Sequence, residues 1–279
     1  MHFNSKFWLK FSILNLLIVA LIGLLMRYKI GFEFPFFDQK HLQHSHSHFA
    51  FSGWISHTLM VLMIVYLEKR TKNIENRLTE KYNKILTANL ICAYGMLVFF
   101  IIQGYGLFSI IFSTSSIIVS CVFAYYFVKD LKLISNDDLS KNWFKTAFNV
   151  ISSFGTFALA YMMISKNIHQ NEYLASIYYY LHFQYNGWFF FACMGLLFSF
   201  LQLNPSENSF FKRTFWLFFL SCIPAYFLST LWWDLPIWIY LITVVAAFIQ
   251  VYTWFRFLII IIKTKREFLY NFPFFLRYI

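Results

Sequence analysis

Of 279 residues, 59% are hydrophobic, 23% aromatic and only 13% charged, with a mean hydropathy of +0.58. Soluble domains carry about 25% charged residues, so the composition excludes a soluble globular domain and predicts an all-α integral membrane protein. The net charge of +11 would suit a nucleic-acid ligand, but the basic residues are segregated by loop, which assigns them to lipid headgroups; no nucleic-acid partner is expected.

A membrane helix needs about 20 mostly apolar residues. Eight windows meet that need: residues 7–26, 48–67, 85–103, 108–128, 147–165, 175–200, 215–232 and 235–262. The first follows Lys6 and Lys10 but has no small-residue cleavage site after it, so a retained helix is expected rather than a signal peptide. The turns Gln103–Gly106 and Trp233–Pro236 are short, whereas the connections at 68–84 and 129–146 are long and charged. The last residues, from Glu267 to Ile279, mix aromatics with Arg277 and are expected at the membrane interface. With a cytoplasmic N-terminus, only Arg27, Lys29, Lys40 and Lys166 of the 23 Lys and Arg fall on the outer side. That positive-inside bias predicts eight transmembrane helices with both termini cytoplasmic, in the cell (inner) membrane. The four cysteines, Cys92, Cys121, Cys193 and Cys222, lie inside the windows without a C-x-x-C pair and read as small packing residues.

The segment His48-Phe-Ala-Phe-Ser-Gly-Trp54 returns as His182-Phe-Gln-Tyr-Asn-Gly-Trp188, with His, Phe, Gly and Trp in register. Each copy opens the second helix of a four-helix half. The chain therefore divides into repeats 1–140 and 141–279, which share one orientation and are related by an axis along the membrane normal.

Neutral imidazole is a common ligand for haem iron, copper and zinc, which makes His48 and His182 the leading candidates. Gly53 and Gly187 would let a flat ring or a helix approach closely, and Trp54 and Trp188 would pack on a ring or anchor at the interface. The alternative is duplicated packing, each histidine bonded to a backbone carbonyl. His41, His44, His46 and His48 crowd before the second window. If that stretch is helical, His44 and His48 form a metal pair at i, i+4; if it is extended, His44, His46 and His48 share a side. Either form could take copper or zinc, and a solvated polar loop is the bland reading. His57 lies nine residues into the second window. At 100° per residue it faces away from His48 and within about 20° of His46, along the helix by about 16.5 Å. His169 has Glu172 nearby; His2 is terminal. Acidic residues are nearly missing from the windows, and no hydrolase, zinc-protease or P-loop pattern is present.

The segment His44-Ser-His46-Ser-His48-Phe-Ala-Phe-Ser-Gly-Trp54 is similar to one at the outer end of the second helix in the haem-copper oxidase subunit I superfamily. That family is built from four-helix arcs with metal ligands on the second helix of each. The resemblance covers this motif and the arrangement of two of the three arcs. It implies a haem, of b type, with His48 as iron ligand and His182 where copper ligands come from the sixth helix. The family's H-P-E-V-Y segment is replaced by Leu181-His182-Phe-Gln-Tyr185, no His-His pair is present, and the third arc has no counterpart. The function implied is a haem- or metal-binding membrane protein in electron transfer, gas sensing or support of respiratory membrane subunits, and not a complete oxidase. The alternatives are copper or zinc handling by the outer histidines, or a structural subunit without a cofactor.

Overall fold

The computed structural model describes residues 3–71, 75–134, 138–147, 150–165, 169–201 and 208–264. Every regular element among them is helical: α1 (Ser5–Gly31), α2 (Gln39–Arg70), α3 (Glu75–Gln103), α4 (Leu107–Leu131), short α5 (Ser140–Thr146), α6 (Val150–Ser165), α7 (170–200), α8 (Asn208–Ala225) and α9 (Ile237–Thr264). A 3₁₀ turn, Tyr226–Thr230, continues α8. Each of the eight apolar windows falls on one of the long runs. Five stretches, Ser5–Gly31, Gln39–Arg70, Thr79–Gln103, Leu107–Leu131 and Ile237–Lys263, are long and apolar enough to cross a membrane. Of the rest, α6 has 16 residues, α8 contains Pro224, and α7 is interrupted by a π-helical segment. His2, Lys166 and the segment from Glu267 onward lie outside the described residues.

The ends of these helices follow from local chemistry. Asn4 caps α1 through Phe7 N at 3.0 Å, and Asp38 caps α2 through His41 N at 2.9 Å. The bond from the His41 amide holds the Asp38 carboxyl below the usual carboxylate range. That cap starts α2 nine residues before the apolar window, so the histidine-rich stretch is helical rather than extended. Between α3 and α4 the chain reverses at Gly104, whose φ of +57° suits glycine.

The chain forms two compact units. The first holds Met1–Val150 with Phe189–Leu196, the second Ile151–Trp188 with Leu197–Ile279. In the first, α3 lies along α4 and against the N-terminal part of α2, Gln39–Phe49. Phe112 fills the space that a side chain at Gly95 would need. Val19, Phe49 and Ala93 join α1, α2 and α3 in a core cluster that also takes in Trp54 and Tyr94. At the other end, α5 buries Trp143 and Phe144, the latter against Tyr66 and beneath Gly195. There, too, buried Asp130 takes the Lys81 ammonium and, at 2.6 Å, the Tyr82 hydroxyl. On the outward face α1 shows Ile13, Leu17, Leu21 and Leu24. A bare apolar stripe of that kind marks a lipid-facing surface.

In the second unit α8 packs on α9, with Phe211 between Phe198 and Phe257. Helices α6 and α7 meet at Gly155. A Cβ there would stand 2.6 Å from the Ser176 carbonyl oxygen and 2.9 Å from Tyr180 N. Backbone atoms cannot step aside as a flexible side chain can, so Gly155→Ala is expected to cost about 2 kcal/mol by forcing the helices apart. Gly187→Ala in the same unit, where nothing lies closer than 3.8 Å, should be near neutral. Thermal unfolding of both variants in mild detergent measures the difference, and equal midpoints would refute it. All four cysteines are free; Cys92 and Cys222 are buried, whereas Cys193 is exposed and packs less fully than its composition-based reading implies.

Candidate functional site

The helical form of residues 39–49 sorts their histidines by face. His41, His44 and His48 turn toward α3 and the turn after it. The His41 Nδ1 lies 3.2 Å from the Ile101 carbonyl oxygen, which its N–H can cap in the last turn of α3. Between them the Ser45 hydroxyl donates to the Leu97 carbonyl at 2.8 Å. Gly104 closes over His41: a Cβ would sit 2.6 Å from its Nε2. His44 and His48, one turn apart, share two aromatic neighbours. The His44 ring meets Tyr105 edge-on at 4.6 Å, while His48 stacks on Phe100 at 4.4 Å. His48 Nε2 is paired with the Tyr105 hydroxyl at 3.2 Å. His46 turns the other way, onto Gly23 of α1, and its Nδ1 is buried with no hydrogen-bond partner among the described residues.

Deeper in α2 the repeated motif leaves α-helical geometry. Residues Ala50–Ser56 form a π-helix, and so do Phe183–Phe189 in α7. A π turn is rare and frees carbonyls from the ordinary i→i−4 ladder. Neighbouring helices hold them instead. The Asn15 side chain donates to the Gly53 carbonyl and accepts from the Tyr94 hydroxyl at 2.6 Å. The Asn89 amide donates to the Ser52 carbonyl at 3.1 Å and reaches His57 Nδ1 at 3.5 Å. In the other unit the carbonyl at the matching place, Asn186, accepts from Cys222 Sγ at 3.5 Å. Thus in each half the carbonyl four residues after the motif histidine is capped from that half's third long helix.

His182 makes two bonds. Its Nε2 lies 2.9 Å from the Cys222 carbonyl oxygen and its Nδ1 3.2 Å from the Asn186 amide nitrogen. The carbonyl can only accept, so the proton sits on Nε2 and the Asn186 amide donates to Nδ1. Ligation of a metal by His182 would require one of these bonds to break. His48 and His182 belong to different units.

The other candidates take structural places. Gly53 lies under the Phe49 ring, 2.8 Å from where a Cβ would be, and Trp54 packs on the cluster of Val19, Phe49 and Ala93. Trp188 is buried. His57 is fully buried, with Trp8 at 5.8 Å. Among the described residues, His57 Nε2 has no hydrogen-bond partner. His46 and His57 both face α1, as their eleven-residue spacing predicts. His169 ends the loop before α7 without a side-chain cap. Among the described residues no group of three or more His, Cys, Asp and Glu side chains could hold a metal ion.

Asn15, Asn89 and Tyr94 are the polar residues that a search for ionisable ligands passes over. Their signal is two amides inside strongly apolar windows, each fully buried. No family model matches the chain, and no curated protein or solved structure matches it either.

Proposed function

We propose that this protein is a metal-handling membrane protein, with eight spans, both termini cytoplasmic and residence in the cell membrane. The observation that carries the reading is the paired placement of His44 and His48 on one face of α2, against Tyr105 and Phe100. Two imidazoles at i, i+4 suit copper or zinc. A two-imidazole site leaves coordination positions open, which favours uptake and transfer over a closed structural site. In this reading His41 and His46 are supports: one ends α3, the other seats α2 on α1.

A second reading has a separate support, the π-helical turn directly after each motif histidine. It is the resemblance-based one, a haem held through His48. The residues fit it in part. Nε2 of His48 pairs with a tyrosine hydroxyl, which a metal could displace, whereas both nitrogens of His182 are engaged. His48 would then supply an axial nitrogen, and the bound haem would supply one-electron chemistry.

One preparation separates the readings. The full chain in mild detergent is titrated with Cu(I) and Zn(II), and spectra are recorded before and after dithionite. The expected result is binding that His44→Ala and His48→Ala each weaken about tenfold or more, while His46→Ala leaves it within about twofold. Unchanged affinity in both ligand variants overturns the proposal. A reduced haem α-band that His48→Ala removes would install the second reading in its place.

A further inference from the structure

The second unit carries an open surface pocket of about 420 Å³ lined by α6, α7 and the residues in and just after the 3₁₀ turn. Its walls are aromatic: Phe154, Tyr179, Tyr226 and Trp233. Tyr179 and Tyr226 meet at 5.3 Å with ring planes 73° apart, so they make a corner rather than a stack. The Tyr226 hydroxyl donates to the Ala175 carbonyl at 2.9 Å, which fixes that ring in place. The tight approach of α6 to α7 at Gly155 forms part of the same lining. The one charged side chain among the lining residues is Glu172, in the first turn of its helix.

An apolar solute would need none of this charge, and an anion would be repelled by it. Several ring faces around a carboxylate are the chemistry that holds an alkylammonium ion, which the ring quadrupoles attract without hydrogen bonds. The volume lies in the range of small-ligand sites and exceeds one trimethylammonium group. We propose that this pocket binds an organic cation of the quaternary-ammonium class, with Tyr179, Tyr226 and Trp233 as the aromatic walls and Glu172 as the counter-charge. The site is independent of the histidines of α2.

The test is equilibrium binding of radiolabelled choline to the full chain in maltoside detergent. Competitors are tetramethylammonium and 3,3-dimethylbutan-1-ol, the uncharged analogue of choline. Choline should bind, tetramethylammonium should displace it, and the neutral analogue should not do so at tenfold higher concentration. Glu172→Gln, an exposed and nearly isosteric change, should weaken binding about tenfold, as should Tyr226→Leu. Equal displacement by the neutral analogue, or full affinity in Glu172→Gln, overturns the proposal. In nanodiscs, loss of choline binding with phosphatidylcholine but not with phosphatidylglycerol identifies a lipid headgroup as the occupant. Equal binding in both identifies a free solute.

Discussion

Replacing Asn15 with leucine is expected to destabilise the protein by about 3 kcal/mol. The Asn15 amide is fully buried and ties the π turn of α2 to α3: it donates to the Gly53 carbonyl and accepts from the Tyr94 hydroxyl. Leucine has a similar volume but can do neither. Each buried group left unsatisfied costs about 1–3 kcal/mol, and no water-filled space offers a replacement inside an apolar bundle. The double variant Asn15→Leu with Tyr94→Phe removes one of the two orphans, so it should recover part of the loss. Unfolding in a mixed detergent series gives both numbers. If Asn15→Leu unfolds at the parent midpoint, the π turn does not depend on that side chain. If the cap fails, α2 can tighten to α-helical spacing, which would turn the stretch that carries His44 and His48 relative to His57.

Asp130→Ala should be comparably costly, about 3 kcal/mol, for an electrostatic reason. The carboxylate is 7% exposed and receives both the Lys81 ammonium and the Tyr82 hydroxyl. Lys81 lies over the rings of Tyr82 and Tyr126, at 4.8 and 4.9 Å, so it is committed to this spot. Asp130 is the buried member and Lys81 the partly exposed one; removing the carboxylate leaves the ammonium and the buried Tyr82 hydroxyl without their partner, which is the main part of the penalty. The double change Lys81→Met with Asp130→Leu strands no charge and should be milder than Asp130→Ala alone. Glu80→Ala breaks the exposed pair with Lys84 and should leave the unfolding midpoint where it was, because solvent already screens that pair. Equal effects of Asp130→Ala and Glu80→Ala would refute the argument.

The long helices were legible because their windows are apolar and about the right length. Their ends were not, since caps and charged turns carry them beyond the apolar part. The polar stretch before His48 shows why: its residues allow either helix or strand, and the decision falls to Asp38, outside the stretch. Helix α5 has a composition too mixed to stand out; it forms where Trp143 and Phe144 find a buried place. The π turns carry no local signature beyond a glycine. They depend on Asn15, Asn89 and Cys222, which lie 30 or more residues away in sequence, so only the folded chain displays them. For the same reason the i, i+4 pairing of His44 and His48 could be anticipated from spacing, while the two bonds that occupy His182 could not.

At 1.5 Å per residue, the 32 residues of α2 measure about 48 Å, against a hydrocarbon layer of about 30 Å. The surplus has to project from the oily layer, and Gln39-Lys-His-Leu-Gln-His-Ser-His-Ser-His48 is the polar end that can do so. His44 and His48 would then stand at headgroup depth, half-buried against Phe100 and Tyr105. In the metal-handling reading, an ion would meet these imidazoles at the membrane surface, and its rate of capture would follow the local ion concentration there.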